Sequence, residues 1–95
     1  MVNSKTQDEL NDELANAAWN GNLEAVKKAI SDGADIHYYN DIALRLSTGS
    51  GRFHVAKYLY QNRTQYIDLD SIEGLSDEFK EQLLNLADNK VYKLL

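Results

Sequence analysis

The chain has no cysteine, no proline, two histidines, one tryptophan and no long apolar run. Without cysteine there is neither a disulfide staple nor a thiolate metal site. Two histidines are too few for a His-rich metal cluster. No stretch approaches the ~20 apolar residues of a membrane span, and the opening MVNSKTQDELNDEL lacks the apolar segment of a secretory signal. These absences predict a soluble, cytoplasmic protein without membrane attachment. Asn62-Arg63-Thr64 matches a glycosylation acceptor only by chance in that setting. Met1 reads as an initiator, so the expectation is a complete chain with no effector domain.

Signatures of chemistry are also missing. There is no phosphate-cradling glycine loop, no HExxH and no nucleophile elbow. His37 and His54 stand 17 positions apart on different elements, and loop or packing roles are the default for such histidines. Most acids cluster at helix starts, where the helix dipole accounts for them. Asp68 and Asp70 alternate but lack the ligand spacing and glycine of a calcium loop. The expectation is no enzyme, no cofactor, no metal and no small-molecule substrate.

What is present is a repeat. Gly21-Asn22-Leu23 and Gly51-Arg52-Phe53 lie 30 positions apart. The same shift superposes Leu14 on Leu44, Ala17 on Ser47, Ala18 on Thr48, Leu23 on Phe53 and Lys27 on Lys57. Self-similarity at this period signals stacked helical units. At 95 residues and 43% hydrophobic, the chain suits one domain whose core is thin unless its elements stack well.

Along the chain, Thr6-Gln7-Asp8-Glu9 is a capping box. Leu10, Leu14, Ala17 and Ala18 then form a one-sided stripe, predicting a helix over roughly 7–20 that ends at a left-handed Gly21. Asn22 caps a second helix with Leu23, Val26 and Ile30 on one face, stopped at Gly33. Its Ala25 and Ala29 leave room for a neighbouring helix. Residues 34–40 show no helical stripe and carry two adjacent tyrosines, so they read as an extended excursion away from the helices. Asp41 is positioned to cap a short helix over 42–49, with Leu44 and either Thr48 or Ser47 facing the stack. Phe53, Val55, Ala56, Leu59 and Tyr60 build the next apolar face. Residues 66–70 form an extended or irregular link. Gly74 marks a turn, and Ser76 starts a lid helix with Phe79, Leu83, Leu86 and Ala87 inward. Lys80, Glu81, Asn85 and Asp88 take much of its outer side. Val91-Tyr92-Lys93-Leu94-Leu95 is short and apolar, either packing back on the lid or meeting another chain.

Asp32-Gly33-Ala34-Asp35-Ile36-His37, Ala43-Leu44-Arg45-Leu46 and Gly51-Arg52-Phe53-His54-Val55-Ala56-Lys57-Tyr58-Leu59 together resemble an ankyrin repeat. Gly-Ala-Asp-hydrophobic resembles that family's link into its finger loop, and Gly-x-hydrophobic-x-Val-x-Lys-x-Leu its outer helix. The resemblance covers about residues 12–62. It departs where Ile42-Ala43-Leu44-Arg45 replaces the usual Thr-Pro-Leu-His, and where the second repeat ends in Gln61-Asn62-Arg63-Thr64 instead of Gly-Ala-Asp. The resemblance implies an all-α, ankyrin-like helical repeat stack with terminal capping helices. One domain would comprise a capping helix and first repeat (1–40), a second repeat (41–66) and a link with a capping helix (67–95).

The same resemblance implies a concave face that grips another protein. Its inner-helix positions here are Asn16, Trp19 and Asn20, then Leu46, Gly49 and Ser50, and its finger positions are His37, Tyr38, Tyr39 and Asn40. Tryptophan and tyrosine are the residues most enriched at binding hot spots. The expected function is a protein-binding module, an inhibitor or adaptor, existing as a monomer or weak homo-oligomer. The alternative rests on the net charge of −5: an acidic decoy that blocks a nucleic-acid-binding protein. Charge is unevenly spread. Arg45, Arg52, Lys57 and Arg63 fall in an acid-free stretch, 42–66, between two acidic flanks. They are expected either to pair with those flanks across the stack or to form a basic patch for an acidic partner. Four such charges are too few to argue for a nucleic-acid ligand.

Overall fold

The computed structural model describes the backbone of residues 5–94 and the side chains of residues 5–85. All regular structure among the described residues is helical: α1 (Gln7–Asn20), α2 (Leu23–Ser31), α3 (Tyr38–Gly49), α4 (Phe53–Gln61) and α5 (Asp77–Leu94), with a 3-10 turn at Leu69–Ser71. No described helix is long and apolar enough to cross a membrane.

Local sequence accounts for the first hairpin. The Thr6 hydroxyl accepts from the Glu9 amide, and the Glu9 carboxylate accepts from the Thr6 amide. Those bonds hold the exposed Glu9 carboxyl below its usual range, the Thr6 backbone donor contributing most. Leu10, Leu14, Ala17 and Ala18 are buried along one side of α1. At its end Gly21 adopts φ 74°, and the Gly21 and Asn22 amides donate back to Ala18 O and Ala17 O. The Asn22 side chain then accepts from the Ala25 amide to start α2. The end of α2 repeats the device: Gly33 has φ 116°, and the Ala34 amide reaches Ala29 O.

The second hairpin copies the first at a shift of 30. Gly51 has φ 72°, its amide donates to Thr48 O, and the Arg52 amide donates to Ser47 O. Within each hairpin α1 packs on α2 and α3 on α4, while α1 also meets α3 and α2 meets α4. Two layers therefore share one core of Leu14, Ala18, Val26, Leu44, Val55, Ala56 and Leu59. Ser47 and Thr48, both buried, satisfy their hydroxyls on Leu44 O and Arg45 O. The α5 helix caps the stack on the α4 side, with Phe79 stacked on Phe53 at 4.2 Å and Leu83 fully buried. Ser76 accepts from the Phe79 amide to start it. The expected positions Leu86, Ala87, Asp88 and Val91 to Leu95 lie outside the residues whose side chains are described.

The structure corrects four expectations. Residues 34–40 do not extend away from the helices. Ala34 is buried, Ile36 and His37 turn, and Tyr38 leads into a compact kink. Tyr39, Asn40 and Asp41 then take left-handed backbone (φ 53°, 56° and 58°) before the right-handed helix begins. Such geometry costs about 1–2 kcal/mol per residue for L-amino acids, least for Asn and Asp. Arg45 offsets it by donating from Nε to Asn40 O and from Nη2 to Tyr39 O. Second, the Asp41 carboxylate does not cap α3, because it is engaged by His37 Nδ1 at 2.5 Å. Third, Lys80 is not on an open face of the lid: it is half-buried and ion-paired with Asp70, which raises its pKa. Finally, no ion pair among the described residues joins Arg45, Arg52, Lys57 or Arg63 to the acidic flanks.

Candidate functional site

Those four basic residues turn to carbonyls and rings instead. Arg45 clasps the left-handed turn, as above. Arg52 donates from Nε to Trp19 O at 3.0 Å. Lys57 lies 4.4 Å from the centre of the Phe53 ring. Arg63 donates to Tyr60 O and sits over the Tyr60 ring at 4.0 Å. A guanidinium is more weakly hydrated than an ammonium, which suits it to such contacts. Arg63, with the Asn62 side chain on Tyr58 O, closes α4 where the second repeat lacks a glycine.

His37 is a bridge. Its Nε2 accepts from the Thr64 amide at 3.0 Å, which leaves the proton on Nδ1 for Asp41. With its side chain only 9% exposed, it ties the start of α3 to the segment that follows α4. His54 is a second bridge, its Nε2 donating to Gly21 O at 3.0 Å. Ser50 adds a third link, its hydroxyl lying 3.2 Å from Trp19 O and 2.6 Å from Leu46 O.

The expected binding residues fall into two groups. Trp19, Asn20, Gly49 and Ser50 lie together at the C-terminal ends of α1 and α3, where the Ser50 link fixes the alignment. Trp19 is 53% exposed. Leu46 is half-buried one turn back on α3, level with exposed Asn16 on α1. Tyr38, Tyr39 and Asn40 lie at the opposite end of the inner-helix layer. Tyr39 is 72% exposed, while Tyr38 is half-buried beside it with ring centres 6.0 Å apart. Trp19 and the tyrosines thus flank the α1–α3 layer from its two ends.

Two clefts flank these groups. One of about 300 Å³ runs between α1 and α2, floored by Ala17, Ala25 and Ala29 and rimmed by Asn16, Asn20 and Lys28. Another of about 400 Å³ lies between Asn40, Asp41 and Arg45 on one wall and Tyr66, Asp68 and Ser71 on the other. Tyr66, a further surface ring, is 85% exposed. Its neighbours Ile67 and Leu69 are buried, so the alternation of 66–70 held that signal. The sequence reading missed Asn11, buried next to Leu10, whose Oδ1 accepts from the Asp35 amide and the Gln7 side chain. No group of three or more metal-ligating side chains occurs among the described residues. No family model matches the chain, and comparison with curated proteins and with solved structures finds no match either.

Proposed function

We propose that this chain is a small ankyrin-like protein-interaction module, an inhibitor or adaptor that acts by occupying a partner's surface. The observation that carries the reading is the exposure of Trp19 and Tyr39 at the two ends of the inner-helix layer. Large rings held on a helix end and a clasped turn present binding area at low entropic cost, and hot spots are enriched in them. The likeness to ankyrin repeats draws support from the two superposable glycine turns and from the packing of α1 on α3.

The test is affinity capture from a native extract, comparing the parent with Trp19→Ala and with Tyr38→Ala/Tyr39→Ala. Each should retain its fold and lose ~2 kcal/mol or more of affinity for the captured partner if its ring is a hot spot. Glu81, exposed on α5, provides a charge-reversal control that leaves capture intact. Full capture by both folded variants would contradict the reading. Capture that collapses with rising salt would favour the acidic decoy instead.

A further inference from the structure

The first glycine turn receives side-chain donors from the next layer. Trp19 O accepts from Arg52 Nε, with the Ser50 hydroxyl shared between it at 3.2 Å and Leu46 O at 2.6 Å, and Gly21 O accepts from His54 Nε2. These carbonyls close α1, where partial negative charge gathers, and α1 has no basic residue in its last turn. Side chains of the next layer, at alternate positions 50, 52 and 54, meet that need.

The second turn has the same backbone and no such donors. Gly49 O and Gly51 O are the equivalents of Trp19 O and Gly21 O, and among the described residues nothing donates to either. The end of α3 also lacks a basic residue. Both glycines are exposed, and a Cβ at either would meet nothing within 4 Å. At Gly21 the same Cβ would lie 2.6 Å from Arg52 Cδ. A shift of 30 from Ser50, Arg52 and His54 reaches Lys80, Gln82 and Leu84. Lys80 is committed to Asp70, Leu84 has no donor, and Gln82 makes no hydrogen bond to the turn.

From this internal precedent we infer that the end of α3 docks an arginine-bearing segment of a protein partner. The partner's guanidinium meets Gly49 O as Arg52 meets Trp19 O, and Gly51 O stands beside it where Gly21 O takes the His54 imidazole. A guanidinium presents five donors in a fixed fork and is at ease beside an aromatic ring, and exposed Trp19 stands one layer back. The inference rests on the reading of the chain as a binding module and names the chemistry one of its surfaces takes.

The probe is the peptide acetyl-Ser-Gly-Arg-Phe-His-amide, the sequence of the donor turn itself, titrated into the ¹⁵N-labelled full chain. Saturable shifts are expected at the Ser50, Gly51 and Arg52 amides and at the Trp19 indole, and they should vanish when the peptide's arginine is replaced by glutamine. Gly49 has right-handed backbone and open space, so Gly49→Leu should fold and weaken peptide binding about tenfold or more. Absence of saturable shifts at millimolar peptide, equal binding of the glutamine peptide, or unchanged binding by Gly49→Leu would each overturn the site. If the site fails while Trp19→Ala still abolishes partner capture, the module reading stands without it.

Discussion

The turns at Gly21 and Gly51 share backbone angles and amide bonds, yet their side chains work in opposite senses. After Gly21, Asn22 turns inward and caps its own helix. After Gly51, Arg52 leaves α4 without a side-chain cap and reaches across to Trp19 O. Ser50 and His54 reach the same way. A repeat that conserves its backbone can thus divide roles between its copies, one closing its own helix and the other joining the layers.

The largest expected effect tests that asymmetry at the glycines. Gly51→Val forces a β-branched residue into left-handed backbone and should cost about 1–2 kcal/mol. Gly21→Val incurs the same strain and also displaces Arg52, so its loss should exceed that of Gly51→Val by about 1 kcal/mol or more. Chemical denaturation of both variants checks this, and equal losses would mean that Arg52 is not bound there.

At the opposite edge of the stack, His37 ties the start of α3 to the segment that follows α4. His37→Phe leaves the Thr64 amide and the Asp41 carboxylate without their partner. A loss of about 1–3 kcal/mol is expected, with faster hydrogen exchange at Thr64. Unchanged exchange there would remove the bridge from the account.

Arg52→Ala and Asn22→Ala should each cost about 1 kcal/mol, for different reasons. The distinction lies in coupling. Arg52 and Ser50 share Trp19 O, so a double-mutant cycle between them should be non-additive. Asn22, which serves only α2, should add independently to Ser50→Ala. Additivity in both cycles would contradict the division of roles.

The smallest effect separates the starts of the two inner helices. A capping box opens α1, and a left-handed turn clasped by Arg45 opens α3. Because the folded state lowers the Glu9 pKa, its contribution is in place above the ordinary glutamate range and fades as pH falls through the folded value. Carboxyl NMR should find Glu9 titrating below that range, and Thr6→Ala should move it upward.

The sequence carried the first hairpin nearly whole, because its signals are local: the capping box, the Leu10–Ala18 stripe, Gly21 and Asn22 lie within a few residues of what they control. The right-handed helix over 42–49 was legible, whereas the left-handed turn before it was misread because its stability comes from Arg45, His37 and Asp41 acting together. Adjacent tyrosines suggest extended chain, whereas Asn40-Asp41 tolerates left-handed backbone and Arg45 takes the Tyr39 and Asn40 carbonyls. The candidate surface was legible as residue types but not as an arrangement. The 30-residue shift that aligned the turns also sets Trp19 and Tyr39 at opposite ends of the layer. Pairing of the basic stretch with the acidic flanks was not realised, because its side chains take nearby carbonyls and rings instead.

The joining of the layers through Arg52 is most directly tested by nuclear Overhauser contacts in the folded chain. The account predicts cross-peaks between the Arg52 δ protons and the Gly21 α protons, since Arg52 Cδ lies where a Gly21 side chain would begin. An assigned spectrum in which the Gly21 α protons see only their own turn, with the Arg52 side chain free in solvent, would contradict it.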